Sequence, residues 1–257
     1  MCSQTYSWMP EGKSMTNNYT IAVCDILGFS HLVQENPLDH IVQGHLAWLR
    51  KALHHSIHRE KFPGEVPSLQ VLRNQSALGL AWFSDTILIY TLEDTDDKIR
   101  ALTSSLGWLL FETMFTVGTR LRCGVSYGEA HIDTENSIYV GNSLIEAYRL
   151  EQAQVWSGGA LTPQAAERLP VMARTGKYYA DWFLVPYQIP VKDNKIVKMV
   201  DSLAIDWTIG LHGPLDFRWS GTDAEPPADA WKTRPDIYTK WQYTKQFHNS
   251  ICRTCRC

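Results

Sequence analysis

The chain has 257 residues, 44% of them hydrophobic and 20% charged, with a formal net charge of −3. That is ordinary globular composition, enough for one sizeable domain with an extension, and it gives no electrostatic footprint for nucleic acid or an acidic membrane surface as the main partner. No apolar run approaches the ~20 residues that span a bilayer, and Met1 to Met15 lack the apolar stretch of a signal peptide, so a cytoplasmic protein is expected.

Residues 1–18 are polar and are expected to be disordered. Tyr19 to Leu27 (YTIAVCDIL) is an apolar, β-branched run ending at Gly28 and predicts a buried strand. From Phe29 to about Glu60 the pattern becomes helical, with Leu46, Leu49, Leu53 and Ile57 on one face and Pro37 separating a short first turn. Pro63, Gly64 and Pro67 mark a loop. Leu69 to Arg73 and Ala77 to Phe83 read as strands. Ser84-Asp85 follows as a tight turn, then Thr86 to Thr91 as the returning strand. Asp94 to Asp97 place acidic residues at the start of a helix that runs to about Val117.

Thr119 to Tyr127 predicts a strand closed by Gly128. Tyr139 to Gly141 leads into a helix from Asn142 to about Gln154. A short helix starts at Pro163 and ends by Pro170. Strands are expected over Tyr178 to Val185 and Ile196 to Val200, and a last helix over Pro235 to Phe247. This mixed order predicts an α+β fold, a sheet with helices packed on it. Cys24 and Cys123 lie inside apolar strands as small hydrophobes. Cys252 and Cys255 make one CxxC half-site with His248 as the nearest further candidate, but a structural zinc site needs four ligands and there is no second CxxC, so a reduced, frayed tail is expected.

Three segments carry chemistry. Asp25-Ile26-Leu27-Gly28-Phe29-Ser30 puts an aspartate at the end of a buried strand, then a glycine turn into a helix. A carboxylate there can hold a divalent ion, and the backbone N–H groups can meet phosphate oxygens; a plain strand-to-helix turn uses the same residues. Asp85 at the hairpin tip would meet Asp25 if the hairpin lies beside the first strand, and two carboxylates can hold two metal ions. Arg149, on the helix after Gly141, suits either a triphosphate or an ion pair with Glu146 or Glu151.

Taken in order, DILGFS, FSDTILIY, LRCGVSYGEA and YVGNSLIEAYRLE resemble the class III nucleotidyl cyclases over roughly Tyr19 to Pro190. The resemblance implies a ferredoxin-like sheet with helices on it. It implies a catalytic domain over 19–205 between the N-terminal segment 1–18 and a C-terminal extension 206–257, and a homodimer with active sites at the subunit interface. By the same resemblance, Asp25, Asp85 and the carbonyl of Ile26 hold two divalent ions, Mn²⁺ or Mg²⁺. The Gly28-Phe29 turn would meet the nucleoside triphosphate, Arg149 from the partner subunit would stabilise the transition state, and Lys192 would reach the terminal phosphate.

Three positions depart from the family pattern. Ile145 stands where the helix usually carries asparagine. Ala81 and Ile138 stand where purine cyclases place polar contacts to the base. EAYRLE and QVWSGG look closest to the bacterial antiphage cyclases of the Pycsar type. That resemblance implies UTP or CTP as substrate, cyclic UMP or cyclic CMP as product, and a separate effector activated by the cyclic nucleotide. The alternatives are an adenylyl or guanylyl cyclase with an unusual pocket, or a degenerate cyclase fold that binds nucleotide without turnover.

Overall fold

Strand β1 (Asn17–Ile26) lies inside an eight-stranded sheet and is buried along most of its length. Its alternation explains why it reads as a continuous apolar run: Ala22, Cys24 and Ile26 face one core, while Ile21 and Val23 face a second. The computed structural model describes residues 17–58, 68–117, 119–174, 182–194, 196–208, 232 and 234–254. Asn17 and Asn18 already pair with β4, so the strand starts two residues before its expected bound. Residues 1–16, the Pro63–Pro67 loop and Cys255 and Cys257 lie outside the described residues.

After β1 come α1 (Phe29–Glu35), α2 (Leu38–His40), a π-helical turn over Ile41–His45, and α3 (Leu46–His58). Pro37 separates α1 from α2, as its fixed backbone predicts. Helix α4 (Leu69–Gln75) replaces the strand expected there. Ser68 caps it, its hydroxyl accepting from the Val71 N–H at 3.2 Å, and Leu69 and Leu72 turn toward the core while Gln70 and Val71 are both exposed, an i, i+3 spacing that alternation does not give. The hairpin β2 (Leu78–Phe83) and β3 (Thr86–Thr91) follows as expected. Helix α5 (Asp96–Glu112) has Thr95 as N-cap with Asp96 and Asp97 in its first turn, and a π-helical turn over Thr113–Val117 extends it.

Strand β4 (Leu121–Asp133) does not stop at Gly128. That residue takes φ 151°, which lets the strand bend and continue into a hairpin with β5 (Ile138–Gly141). The chain then forms α6 (Asn142–Ala153), β6 (Gly158–Leu161), α7 (Pro163–Arg168), α8 (Val171–Arg174), the hairpin β7 (Leu184–Asp193) and β8 (Ile196–Ile205), and α9 (Pro235–Thr254). Strand β6, for which the sequence carries no expectation, is only four residues long and begins Gly-Gly. It is set by its neighbours: it pairs parallel with β4 and antiparallel with β8, and a side chain at Gly159 would meet Ile205 at 2.8 Å.

The spatial order is β2-β3-β1-β4-β6-β8-β7, with β5 on β4. The β2-β3-β1-β4 segment, with α1–α4 and α5 as its two crossovers, is a βαββαβ unit of ferredoxin-like type. Helices α3 and α5 cover the first core face. Helix α6 covers the other along β1 and β4. Its close approach is permitted by Gly124, where an added Cβ would meet the Ala147 carbonyl oxygen at 2.1 Å. Helix α9 is part of the main core: Phe247 packs on Trp156, Tyr187 and Trp207.

Candidate active site

The end of β1 is where the charged residues converge. Residues 21, 23 and 25 share a sheet face, so the alternation that buries Ile21 and Val23 sends Asp25 to the same side at the strand's end. Asp85 occupies the β2–β3 turn, next to Ser84 in the left-handed region at φ 54°. The Ile26 N–H donates to the Asp85 carbonyl at 3.0 Å, which fixes the turn against the end of β1. The two aspartates thus sit at one corner, as the hairpin reading requires, and each lies within the other's electrostatic field.

Arg122 stands opposite Asp25 in the β1–β4 register. It is a buried guanidinium that bonds Glu151 at 2.5 Å and the Gln154 carbonyl at 3.0 Å, and it lies 3.5 Å from the Asp25 carboxylate. Burial pushes the Asp25 carboxyl above its ordinary value of 3.8; Arg122 pulls it down, Asp85 pushes it up, and Lys240 pulls it down. Burial likewise raises Glu151, against the pull of Arg122. Gln154 extends the network, its side-chain amide donating to the Cys123 carbonyl at 2.8 Å and accepting from the Trp156 indole at 2.7 Å.

The donor set at this corner fits divalent cations. Carboxylates are hard oxygen ligands, and Asp25 is desolvated with its carboxyl raised despite Arg122 and Lys240, a cost of ionisation that a bound divalent ion would offset. Among the described residues there is no group of three or more His, Cys, Asp or Glu poised for a metal; the side chains that this corner brings together are the two carboxylates Asp25 and Asp85.

A cleft of about 430 Å³ opens beside the corner, lined by Ile26, Leu27, Gly28 and Phe29 together with Arg120 and Lys240. Gly28 takes φ 81°, so this turn into α1 suits glycine. Lys192 is exposed on β7 and lies within the electrostatic field of Lys240, at the same end of the sheet.

The other sequence candidates are not in this cleft. Arg149 is 70% exposed on α6 and bonds Glu146 at 2.8 Å; within one chain it does not reach the corner. Glu151, its other possible partner, is taken by Arg122. Ala81 is fully buried in the second core face, and Ile138 is 45% exposed at the start of β5. Neither offers a hydrogen bond to a base. Trp48 is exposed over a separate hollow with His40 and His45, and the Trp82 indole donates to the Ser84 carbonyl at 2.8 Å.

Sequence reasoning missed Arg122, Arg120 and Lys240. The signal for Arg122 was present, a charge embedded in the apolar strand TRLRCGVSY. Nothing in the local sequence of α9 marks Lys240.

No family model and no curated protein matches this sequence. Among solved structures, the chain is similar to the catalytic core of a rhodopsin-guanylyl cyclase with converted specificity in complex with ATPαS, at 14% identity over 74% of this chain and 98% of that one, TM-score 0.48. It is also similar to the guanylyl cyclase Cya2, at 11% identity over 74% and 92%, TM-score 0.47. A third such structure is a bacterial light-regulated adenylyl cyclase, at 13% identity over 76% and 95%, TM-score 0.46.

Proposed function

We propose that this chain is a class III nucleotidyl cyclase catalytic domain that closes a pyrimidine nucleoside triphosphate, UTP or CTP, into its 3′,5′-cyclic monophosphate with release of pyrophosphate. The observation that carries the reading is the corner where Asp25 and Asp85 meet, tied by the Ile26–Asp85 bond, with Asp25 desolvated beside the Gly28 turn. Two divalent ions at this corner, Mn²⁺ or Mg²⁺, would supply an acidified 3′-hydroxyl and offset the phosphate charge.

The chain's own residues do the rest. Asp25 and Asp85, with the Ile26 carbonyl, are the ligands. Arg122 holds the Asp25 carboxylate against α6 and keeps it from swinging into solvent. The Gly28-Phe29 turn faces the phosphates, with Lys192 toward the terminal one. The 3′-hydroxyl gives its proton to solvent, its oxygen attacks the α-phosphorus in line, and the bond from that phosphorus to the leaving pyrophosphate breaks.

Arg149 acts in the site of a partner subunit, steadying charge on the transferred phosphoryl group. Its exposure suits that role, and so do two large side chains left exposed on the same helix, Ile145 and Tyr148. A homodimer interface would cover them. The pyrimidine assignment rests on Ala81 and Ile138, which leave a purine edge without a polar partner. With it goes the role of an antiphage signal producer acting through a separate effector that responds to the cyclic nucleotide.

A second reading, a cyclase fold that binds nucleotide without turnover, is favoured only by Ile145 in place of asparagine. The test is to incubate the purified chain with ATP, GTP, CTP and UTP, with Mn²⁺ or Mg²⁺, and identify products by mass. A cyclic pyrimidine supports the proposal. A cyclic purine overturns the base assignment, and nucleotide binding without product from any of the four supports the second reading.

A further inference from the structure

We infer that the C-terminal helix α9 completes the polyphosphate subsite of this same site, with Lys240, together with Arg120, as the cation that grips a pyrophosphate-class anion in the cleft beside Gly28. The inference deepens the proposed function and rests on it only for the identity of the nucleotide that carries the anion.

The position of Lys240 is set by how α9 docks. Thr244, one turn further on, accepts from the Ser157 N–H at 2.8 Å and donates to the Lys240 carbonyl at 2.9 Å. Phe247 is fully buried against Trp156, Tyr187 and Trp207, and Trp241 and Ile251 are also buried. These anchors set the preceding turn of the helix against the cleft, whose wall Lys240 shares with Ile26, Leu27 and Gly28. Arg120 enters from the start of β4, its carbonyl accepting from the Leu27 N–H at 2.9 Å.

The charges of the wall do not cancel. Its acids are engaged: Glu35 bonds His31 at 3.0 Å, and Asp236 faces Arg234 at 3.9 Å. Arg120 and Lys240 have no ion-pair partner within 4.0 Å among the described residues. Both are partly buried, and Lys240 stands beside two further cations, Arg122 and Lys192. Arg122 is already held by Glu151, and Asp25 and Asp236 offset part of the Lys240 charge at a distance; Lys240 and Arg120, half-desolvated on one cleft wall with no ion pair of their own, are left to meet a multivalent anion, the ligand class that offsets both at once. The cleft opens next to the Asp25 corner, so a pyrophosphate held by Lys240 and Arg120 lies where the leaving group of the proposed reaction would sit.

The experiment is calorimetric titration of the full chain with inorganic pyrophosphate, with and without Mg²⁺, alongside turnover of the four nucleotides. Pyrophosphate is expected to bind the parent. Affinity should fall about tenfold or more in Lys240→Met and in Arg120→Met, and recover in part in Lys240→Arg. Lys245→Met, a charge on the same helix stacked on Trp241, should bind as the parent does. Melting temperatures near the parent's show that the variants fold. Parent-like pyrophosphate binding in both Met variants, or no binding by the parent, overturns the inference. If pyrophosphate binding follows the expected pattern while the parent turns over no nucleotide, the cyclase assignment fails and the anion subsite stands. Nucleotide turnover with parent-like KM and pyrophosphate inhibition in Lys240→Met gives the reverse.

Discussion

The backbone N–H of Ile26 donates to the carbonyl of Asp85 at 3.0 Å, and this one bond joins the two segments whose aspartates define the site. Asp25 ends a strand buried on both faces, whereas Asp85 sits on a turn held by Ser84 in the left-handed region. Their proximity therefore comes from backbone pairing and does not depend on either side chain. Substituting one carboxylate should leave the other in place.

Asp25→Asn should raise the melting temperature of the metal-free protein at neutral pH while removing metal binding. Burial is the largest cause of the raised pKa, so the ionised carboxylate is disfavoured in the fold despite Arg122. Because the folded pKa lies above the unfolded one, this group's contribution is most favourable below its ordinary 3.8 and is lost as pH rises through the folded value. The gap in melting temperature between variant and parent, followed from pH 7 down in the presence of a chelator, should close toward acid. A gap that is absent at neutral pH, or that widens toward acid, contradicts this account.

Asp85→Asn should lower the Asp25 pKa in metal-free protein, since the negative charge of Asp85 helps push it up. Carboxyl-resolved NMR titration of parent and variant reads the change directly. An Asp25 titration that does not move would mean the two carboxylates do not share a field.

Glu151→Ala should cost about 3–5 kcal/mol of stability, because it leaves the buried Arg122 guanidinium without its main partner. Replacing both members with methionine should recover much of that loss, as the unpaired charge is then gone. Urea denaturation of the parent, the single and the double variant separates a charge effect from lost packing; a double variant no better than the single one would point to packing.

Gly124→Ala should destabilise by about 3 kcal/mol. The new methyl would collide with the Ala147 carbonyl at 2.1 Å and the Glu151 N–H at 2.6 Å, and both belong to α6 backbone that cannot yield by a rotamer change. The same displacement would drag Glu151 off Arg122, so any activity should fall together with stability.

Arg149→Ala should change stability by less than about 0.5 kcal/mol, since the side chain is exposed and its ion pair with Glu146 is on the surface. Its activity should nonetheless be lost. Mixing Arg149→Ala with Asp25→Asn should restore about a quarter of the parent activity, because half of randomly paired dimers then carry one intact interface site. Two inactive variants that stay inactive when mixed would argue for a site built within one chain.

The elements legible in the sequence are those whose signal is local. The run YTIAVCDIL, the Ser84-Asp85 turn, the acidic start of α5 and the Pro37 break each follow from a few adjacent residues, and they bring Asp25 and Asp85 into view as a pair. Helix α4 is hidden in the sequence because its seven residues also suit a strand, and only the shared inward face of Leu69 and Leu72, with Gln70 and Val71 both exposed, separates the two periods. Strand β6 has no propensity of its own and exists because β4 and β8 pair with it. The partner of Arg122, the displacement of Glu151 from Arg149, and the arrival of Lys240 beside Asp25 all depend on strand register and on the docking of α9. Those arise from packing between segments tens to hundreds of residues apart, so no window of the chain contains them.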